Sequence, residues 1–385
     1  MKSMVLKGLV MVGALALINC DNNTVVAPGP DELGTKPESS AAIDPMSSAA
    51  VGLESSTSVN PQSSTIAAPE SSETVNPLSS ETVNPASSET VPPASSETVT
   101  PASSSSEEVK PAGVFLAEGT DENKDQMQVE YIENIEPCIW DNDKKRNLCK
   151  ILAYPKQLSD TKKHAVVMWG PGGGSDPKEY GGIIKRLASH GFVVVAIPQS
   201  PGDASQGKPA LDWLESKNKD PNDPLYNKLD MTKVGCSGHS MGGLESEQML
   251  LKDDRVITAV LNNSGAFNHA ELANVSTSKT AAIVYGEGGM ERPNAEGDYN
   301  NNNVKAPACL LKMTGGQGNE CYNGECGWGH GSGPWGGMAA TVAWMRWHLG
   351  GEDWRKDDFV GTSGKYINGA IIGQPGKWKG QCKNF

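Results

Sequence analysis

The sequence predicts an α/β fold with a mostly parallel central sheet and helices on both faces, preceded by a disordered linker rich in Ser, Pro, Thr and Glu. Three observations lead to this prediction. From residue 113 onward, short apolar runs alternate with helix-forming runs, which is the pattern of parallel strands joined by helices. A Gly-x-Ser-x-Gly motif at residues 238–242 lies between one such strand and one such helix. Residues 21–112, in contrast, contain few bulky apolar side chains.

The first 20 residues have the organisation of a secretory signal peptide. Lys2 and Lys7 precede an apolar run over residues 9–18, which is shorter than the roughly 20 residues that span a bilayer. The run ends in Leu-Ile-Asn-Cys at residues 17–20, which resembles a bacterial lipobox, so that Cys20 is the predicted site of lipidation. An ordinary cleaved signal peptide is the alternative. Both kinds of signal peptide indicate export. Lipidation of Cys20 would in addition anchor the protein in a membrane at the bacterial cell envelope or surface.

Residues 21–112 form a low-complexity segment in which Ser-Ser-Glu-Thr-Val recurs from Ser71, Ser79, Ser87 and Ser95. Such a segment cannot bury enough apolar surface to offset the entropy that ordering would remove. Its regular prolines favour extended conformations. We therefore expect a disordered stalk that holds the following domain away from a membrane.

Residues 113–385 carry the alternating pattern and are long enough for one buried core. Apolar runs predict strands over residues 127–135, 148–154, 164–169, 192–197, 233–236, 256–261, 281–285 and 308–313. Helix-forming runs predict helices over residues 180–190, 209–216, 244–251 and 341–349. Most of the net charge of −13 lies in the stalk, and the remainder is mildly acidic without a basic patch. This composition argues against a nucleic-acid partner, and we expect a monomer.

The Gly-x-Ser-x-Gly motif has the strand–turn–helix context of a nucleophile elbow, in which the hydroxyl of Ser240 is exposed at the top of the sheet. A structural glycine-rich turn is the alternative. The elbow requires an oxyanion hole made of two backbone N–H groups, one of them from the residue after the nucleophile. Met241 supplies that group. The second group comes from the glycine-rich loop at residues 170–174, where we favour Gly173.

Ser240 requires a general base, and His330 is the best placed of the six histidines. It follows the strand predicted over 308–313 and precedes the last predicted helix, as the chain order Ser…acid…His of an α/β-hydrolase demands. The acid is then expected just after the strand predicted over 281–285. Glu291 is our first choice there and Glu287 the second, with Asp298 a further carboxylate in the same loop.

Residues 186–195, 238–243 (GHSMGG) and 342–346 resemble bacterial cutinases and polyester (PET) hydrolases of the α/β-hydrolase superfamily. The resemblance runs from about residue 164 to residue 354. It implies the α/β-hydrolase fold, ester hydrolysis by a Ser–His–acid set and an open, shallow cleft. In that family an Asp normally occupies the position that matches Gly289. Glu291 or Glu287 must therefore substitute here, or the site acts as a Ser–His dyad. The family's aromatic clamp has no match at residues 172–174.

The eight cysteines are consistent with export. Besides Cys20, we expect Cys236 in the elbow strand to be a buried free thiol. The disulfide candidates, whose pairing is left open by the sequence, are Cys138, Cys149, Cys309, Cys321, Cys326 and Cys382. Cys138–Cys149 is the favoured local pair, and a Cys321–Cys326 bridge would restrain the loop of His330. No cysteine or histidine spacing is typical of a metal site, and we expect neither a metal nor a cofactor.

Three tryptophans are candidates for the substrate pocket. Trp328 and Trp335 flank His330, and Trp169 precedes the glycine-rich loop. Tryptophans beside a catalytic histidine line acyl or aromatic pockets, or stack on sugar rings. Core packing is an equally weighted alternative for Trp328 and Trp335.

The sequence therefore predicts a secreted, lipid-anchored serine carboxylic ester hydrolase that acts on an extracellular ester. Cutin, a polyester or an acylated plant polysaccharide are the candidate polymeric substrates. Two alternatives stay open. The first is an acetyl- or feruloyl-polysaccharide esterase, or a lipase, on the same fold. The second is a non-catalytic surface binding module that keeps a hydrolase fold.

Overall fold

The computed structural model describes residues 113–385; the predicted signal peptide, the lipidation site at Cys20 and the stalk lie outside the described residues. The strands are β1 (Val129–Asp141), β2 (Arg146–Pro155), β3 (His164–Gly170), β4 (Val193–Ala196), β5 (Leu229–His239), β6 (Val256–Asn262), β7 (Thr280–Gly286), β8 (Ala308–Thr314), β9 (Glu320–Tyr322), β10 (Glu325–Gly327) and β11 (Lys377–Lys383). The helices are α1 (Gly181–Ser189), α2 (Gly207–Lys219), α3 (Met241–Lys252), α4 (Arg292–Asn300), α5 (Met338–His348), α6 (Lys356–Phe359) and α7 (Lys365–Asn368). Within residues 113–385, every helix is too short or too polar to span a bilayer.

Within residues 113–385, nine strands form one mixed sheet in the order β1-β2-β4-β3-β5-β6-β7-β8-β11. The central strands β4, β3, β5, β6, β7 and β8 are parallel. Antiparallel pairings occur at both edges, where β1 and β2 precede the parallel part and β11 follows it. The prediction of a mostly parallel sheet therefore holds for the centre, and the carboxyl ends of its strands lie along one edge where loops can build a site.

Helices cover both faces of the sheet because successive side chains of each buried strand point to opposite faces. In β3, Val166 and Met168 belong to one buried cluster, which also contains apolar side chains of α2, α3 and α4. Val167 and Trp169 belong to the other cluster, together with side chains of α1 and α5. The sheet is thus the middle layer of a three-layer α/β domain.

Every predicted strand and helix has a counterpart in the structure, but the structure contains elements that the sequence analysis did not predict. These are α4, the β9–β10 hairpin, the short helices α6 and α7, and the edge strand β11. In α4 the buried side chains are Ala295, Asp298 and Tyr299, so this helix has no apolar stripe that a sequence pattern can reveal. In β11, lysines alternate with other residues because the strand lies at the sheet edge.

The disulfides pair all six candidate cysteines of the described region: Cys138–Cys149, Cys309–Cys382 and Cys321–Cys326. The first joins β1 to β2, the second joins β8 to the edge strand β11, and the third closes the β9–β10 hairpin. Cys236 is a buried free thiol, as expected, and burial raises its pKa well above the ordinary value.

A buried ion-pair network ties the segment before β1 to the segment after α5. The carboxylate of Glu122, 2% exposed, accepts hydrogen bonds from Lys365 Nζ at 2.6 Å, Tyr366 OH at 2.7 Å and Arg355 Nη1 at 3.2 Å. Burial raises the pKa of Glu122, but the bonds from Lys365 and Tyr366 outweigh it, so the pKa lies below its usual 4.5. The stabilisation is therefore present above pH 4.5 and is lost as the pH falls through the lowered pKa.

We expect Glu122→Ala to lower the free energy of unfolding by about 1 to 3 kcal/mol, because it removes the acceptor of Lys365 and Tyr366 and one of the carboxylates paired with the fully buried Arg355. Guanidinium denaturation followed by tryptophan fluorescence measures this loss. The matched control is Glu118→Ala, at an exposed position four residues earlier, for which we expect a change within about 0.5 kcal/mol. Equal stability of the two variants would contradict the assigned role of the network.

Candidate active site

The polypeptide turns sharply at Ser240, between the end of β5 and the start of α3. Ser240 has φ 53° and ψ −116°, which is a sparsely populated conformation for a non-glycine residue. Its N–H donates to the carbonyl of Asn262 at 2.9 Å, and its own carbonyl accepts from the N–H of Gly243 at 2.9 Å. The turn is therefore fixed on both sides, and Ser240 occupies the position expected of an elbow nucleophile.

Close backbone packing explains the two glycines of the motif. A Cβ atom at Gly242 would lie 1.9 Å from the carbonyl oxygen of Gly170. A Cβ atom at Gly238 would lie 2.3 Å from the carbonyl oxygen of Gly242. The end of β3, the end of β5 and the first turn of α3 thus meet at distances that exclude any larger side chain at either position.

His330 lies in the loop between β10 and α5, and its imidazole is hydrogen-bonded to Glu291. The distance from His330 Nδ1 to Glu291 Oε2 is 2.8 Å. Because a carboxylate only accepts, Nδ1 carries the proton, and Nε2 of the neutral ring is left as the basic nitrogen. Glu291 is 6% exposed, which shields this hydrogen bond from solvent. The structure thus brings together the predicted base and the first-choice acid.

The absence of a side chain at Gly289 explains how the carboxylate of Glu291 reaches His330. A Cβ atom at Gly289 would lie 2.2 Å from Glu291 Oε1 and 2.7 Å from Glu291 Oε2. The carboxylate of Glu291 therefore fills the volume into which a side chain at residue 289 would project. A glycine at 289 and a glutamate at 291 together deliver a carboxylate to the place that the resemblance assigned to an Asp at 289.

The other candidate acids are engaged elsewhere. The carboxylate of Glu287 accepts hydrogen bonds from the N–H groups of Gly315 at 2.8 Å and Gly316 at 3.1 Å, in the loop after β8. Asp298 accepts from the N–H of Leu272 at 3.1 Å. Of these three carboxylates, the structure places the Glu291 carboxylate against the imidazole of His330.

Asn263 joins Glu291 to the loop that carries His330, and the sequence analysis did not identify it. Its Nδ2 donates to Glu291 Oε1 at 2.6 Å and lies 3.2 Å from the carbonyl oxygen of Gly329. Its Oδ1 accepts from the N–H of Gly333. Asn263 directly follows β6 with a φ of 49°, a left-handed conformation that Asn tolerates better than most residues. In the sequence, the signal that could have identified it is an Asn, which tolerates the left-handed conformation, directly after a buried strand.

Tyr180 and His239 form a second connection that the sequence analysis missed. The N–H of Gly172 donates to Tyr180 OH at 3.0 Å, and Tyr180 OH lies 2.8 Å from His239 Nδ1. His239 Nε2 lies 2.8 Å from the carbonyl oxygen of His330. Since a carbonyl only accepts, Nε2 carries the proton and Tyr180 donates to Nδ1. This chain connects the glycine-rich loop to the backbone of the base.

The two predicted oxyanion-hole residues lie next to each other. Met241 is the first residue of α3, where backbone N–H groups have no acceptor within the helix. A Cβ atom at Gly173 would lie 3.2 Å from Met241 Cγ. The N–H of Gly172 is occupied by Tyr180, which leaves Gly173 as the better candidate in this loop.

The pocket at Ser240 has apolar walls that differ from those predicted. Its apolar lining residues are Met241, Leu244, Phe267 and Met290. Its polar lining residues, besides Ser240, Glu291 and His330, are Asn263, Ser264 and Asn294. Phe267 and Met290 are 72% and 74% exposed, so both present apolar surface at the mouth of the pocket. A large exposed apolar residue beside a nucleophile typically marks a binding surface.

Among the described residues, the lining of this pocket contains none of the three candidate tryptophans, and for Trp328 and Trp335 the packing alternative fits the structure better. Trp169 lies on β3 with its side chain fully buried in the core. Trp328 packs beneath the glycines of neighbouring loops, 2.6 Å from a Cβ atom built at Gly316. Trp335 stacks against Tyr180 with ring centroids 6.0 Å apart. Closeness in sequence to His330 did not determine where these side chains point.

Packing around the ring of His239, together with the neighbouring His330, lowers the pKa of His239 to about 4. The unfolded chain binds this proton near pH 6.5 and the folded protein only near pH 4. The unfolded state therefore binds more protons between these values, and the folded state loses stability as the pH falls from 6.5 to 4.

We expect His239→Gln to make the loss of stability between pH 6.5 and pH 4 less steep, because the variant has no proton to bind at this position. Denaturant unfolding at the two pH values measures the slope. An NMR titration of the His239 ring, assigned with the same variant, is the direct check. A ring that titrates near pH 6.5 in the folded protein would contradict the prediction.

Comparison with known proteins yields one family match, which contains the elbow, and two relatives that match a shorter stretch of the chain. A family model described as PET hydrolase-like matches residues 150–280, which include the glycine-rich loop and Ser240 but not Glu291 or His330. Cutinase est1 and cutinase est2 of Thermobifida alba are each 30% identical over 96 residues, which is 23% of this chain. The chain spans 30% of the length of each of these cutinases. Over residues 150–280, this chain therefore resembles the PET hydrolase-like family, as its sequence motifs predicted.

Proposed function

We propose that this protein is a serine carboxylic ester hydrolase with an α/β-hydrolase fold, exported and held at the cell surface by a lipid on Cys20. The observation that carries the proposal is the arrangement of Ser240, His330 and Glu291 around one pocket, with a 2.8 Å hydrogen bond between the last two. The strand order, the elbow and the similarity to PET hydrolase-like proteins and cutinases support it.

In the proposed reaction, Ser240 Oγ attacks the carbonyl carbon of the ester while His330 Nε2 takes the hydroxyl proton. The N–H groups of Met241 and Gly173 stabilise the negative charge on the carbonyl oxygen. His330 then gives its proton to the leaving alcohol, and a water activated by the same nitrogen releases the acid. Glu291 holds His330 in the required tautomer and stabilises the imidazolium that forms in both steps.

The apolar mouth of the pocket favours an ester with an apolar acyl or aromatic part. Phe267 and Met290 offer exposed apolar surface to such a substrate, whereas the lining amides of Asn263 and Asn294 already hydrogen-bond within the protein. A sugar-binding site requires several polar groups that are free to bind the hydroxyls of the ring. We therefore place cutin-like and polyester substrates before acylated polysaccharides. The predicted stalk and lipid anchor suit a surface enzyme that acts on an extracellular polymer.

We expect a fluorophosphonate probe to label Ser240 in the folded protein, because the probe reacts with serines that are activated by a general base. Ser240→Ala should abolish the label and lower ester turnover by at least about 10³-fold. The matched control is Ser264→Ala, which removes another serine hydroxyl from the same pocket and should keep the label.

Mass spectrometry locates the adduct, and a panel of short-chain, long-chain, aromatic, acetyl-sugar and feruloyl-sugar esters compares substrate classes. Absence of an adduct at Ser240 in folded protein would overturn the hydrolase proposal and favour a binding module. Turnover of the sugar esters alone would be consistent with the serine mechanism but would reject cutin-like and polyester substrates.

We expect Glu291→Ala to lower kcat by about 10²- to 10⁴-fold, because the imidazole then loses its orienting carboxylate. When Gly289→Asp is added to Glu291→Ala, the kcat of the double variant should be at least about tenfold higher than that of Glu291→Ala. The reason is that the new side chain projects into the volume that the Glu291 carboxylate vacates. Steady-state kinetics on a simple soluble ester measure both effects.

Glu287→Gln is the control for this experiment, since the Glu287 carboxylate binds the N–H groups of Gly315 and Gly316 and not the imidazole. We expect its kcat to stay within about threefold of the wild type. A loss in Glu287→Gln that equals the loss in Glu291→Ala would reject Glu291 as the acid. If Gly289→Asp restores no activity to Glu291→Ala, the idea that a carboxylate at residue 289 can replace the one at residue 291 is rejected.

A further inference from the structure

The β9–β10 hairpin lies outside the nine-stranded sheet and immediately precedes the loop of His330. Its strands pair Glu320 with Gly327, Cys321 with Cys326 and Tyr322 with Glu325. Asn323 and Gly324 form the tip with positive φ values of 47° and 81°, as a tight two-residue hairpin turn requires. The Cys321–Cys326 disulfide closes the hairpin. A hairpin of this size is at best marginally stable by itself, so the disulfide contributes to holding its shape.

Glu320, at the base of the hairpin, holds the backbone of His330. The N–H of His330 donates to Glu320 Oε2 at 2.6 Å. A Cβ atom at Gly329 would lie 2.1 Å from Glu320 Cδ, so the carboxylate occupies the place of a side chain at residue 329. The two glutamates thus act on different parts of one residue, because Glu291 binds the His330 imidazole and Glu320 binds its peptide group.

The same hairpin also contacts the segment that carries the acid. A Cβ atom at Gly288 would lie 2.1 Å from the carbonyl oxygen of Glu320. Arg292, which directly follows Glu291, donates from Nη1 to the carboxylate of Glu325 on β10. Its Nη1 also donates to the carbonyl oxygen of Glu287 at 3.2 Å. The hairpin therefore touches both the loop of Glu291 and the loop of His330.

We propose that the disulfide-closed β9–β10 hairpin fixes the distance between acid and base, and that Glu320 is a positioning residue for His330. This inference rests on the proposed hydrolase function. Glu320 does not touch the reacting atoms; it acts by holding the His330 peptide so that Nε2 faces Ser240. A shift of about 1 Å in such a group can lower turnover by about 100-fold without weakening substrate binding.

The first test uses Glu320→Ala and Glu320→Gln in the full chain, with a soluble ester as substrate. We expect Glu320→Ala to lower kcat by roughly tenfold or more with KM unchanged within about twofold. Glu320→Gln keeps an oxygen that accepts the His330 N–H, so its kcat should stay within about threefold of the wild type. If the Glu320 carboxylate contributed only its charge, Glu320→Gln would lower kcat as much as Glu320→Ala does. Glu118→Ala, at an exposed site, is the control for loss of a surface carboxylate.

Active-site titration with a fluorophosphonate separates positioning from folding. It counts the folded, labelled sites, so kcat is expressed per active site and thermal melting gives the stability. A normal kcat per site with a lowered melting temperature in Glu320→Ala would overturn the proposal and leave a structural role. An unchanged kcat in both Glu320 variants would also overturn it.

The second test removes the disulfide with the double substitution Cys321→Ser/Cys326→Ser. We expect a fall in kcat per site similar to that of Glu320→Ala, and little further loss when the two changes are combined, because both act through one contact. Cys138→Ser/Cys149→Ser removes the β1–β2 disulfide and should keep kcat per site. Full additivity of the hairpin variants, or an equal loss in the β1–β2 variant, would overturn the role of the hairpin.

The result is distinguishable from failure of the proposed function. If the wild type neither labels at Ser240 nor hydrolyses any ester, the hydrolase proposal fails and takes this inference with it. If the wild type is active and depends on Ser240 while the hairpin variants are unaffected, this inference alone is rejected.

Discussion

The 2.8 Å hydrogen bond between His330 Nδ1 and Glu291 Oε2 joins the loop after β7 to the loop after the β9–β10 hairpin, which itself follows the neighbouring parallel strand β8. Its two partners are 39 residues apart in the chain, so no local sequence preference can set their geometry. Tertiary contacts set it instead. Asn263 binds the free oxygen of Glu291 from the end of β6, and Glu320 binds the peptide of His330 from the hairpin. The proposed chemistry at Ser240 depends on this bond, since it decides which imidazole nitrogen is basic.

The sequence predicted the features that depend on strong local patterns. Each central strand is a run of apolar residues, and the Gly-x-Ser-x-Gly motif identified the turn at Ser240 because few other sequences allow such close backbone packing. His330 followed from chain order. For the acid the sequence could only rank Glu291 before Glu287, because the two have the same charge and lie four residues apart in one loop. The choice between them depends on the empty volume at Gly289, which is a property of the folded loop.

The missed elements share a different cause. The helix α4 and the edge strand β11 bury few apolar side chains, and the β9–β10 hairpin is held by a disulfide and by polar contacts. Patterns of apolar residues do not reveal such elements. For the three tryptophans, closeness in sequence to a site residue did not predict closeness in the structure. They became pocket candidates because they lie near His330 or the glycine-rich loop in sequence, with core packing an equal alternative for Trp328 and Trp335. The exposed apolar residues of the pocket are instead Phe267 and Met290, which follow other strands.

His239 links the two halves of the proposed site, although its ring does not point at the pocket. It precedes Ser240 directly, its Nδ1 accepts from Tyr180, and Tyr180 in turn binds the glycine-rich loop that carries Gly173. Its Nε2 donates to the carbonyl of His330. A neutral ring is required for this pattern, because a doubly protonated ring has no acceptor for the Tyr180 hydroxyl. The pKa of about 4 keeps the ring neutral near pH 7. The glycine-rich loop and the backbone of His330 are therefore connected through a residue whose uncharged state the surrounding packing maintains.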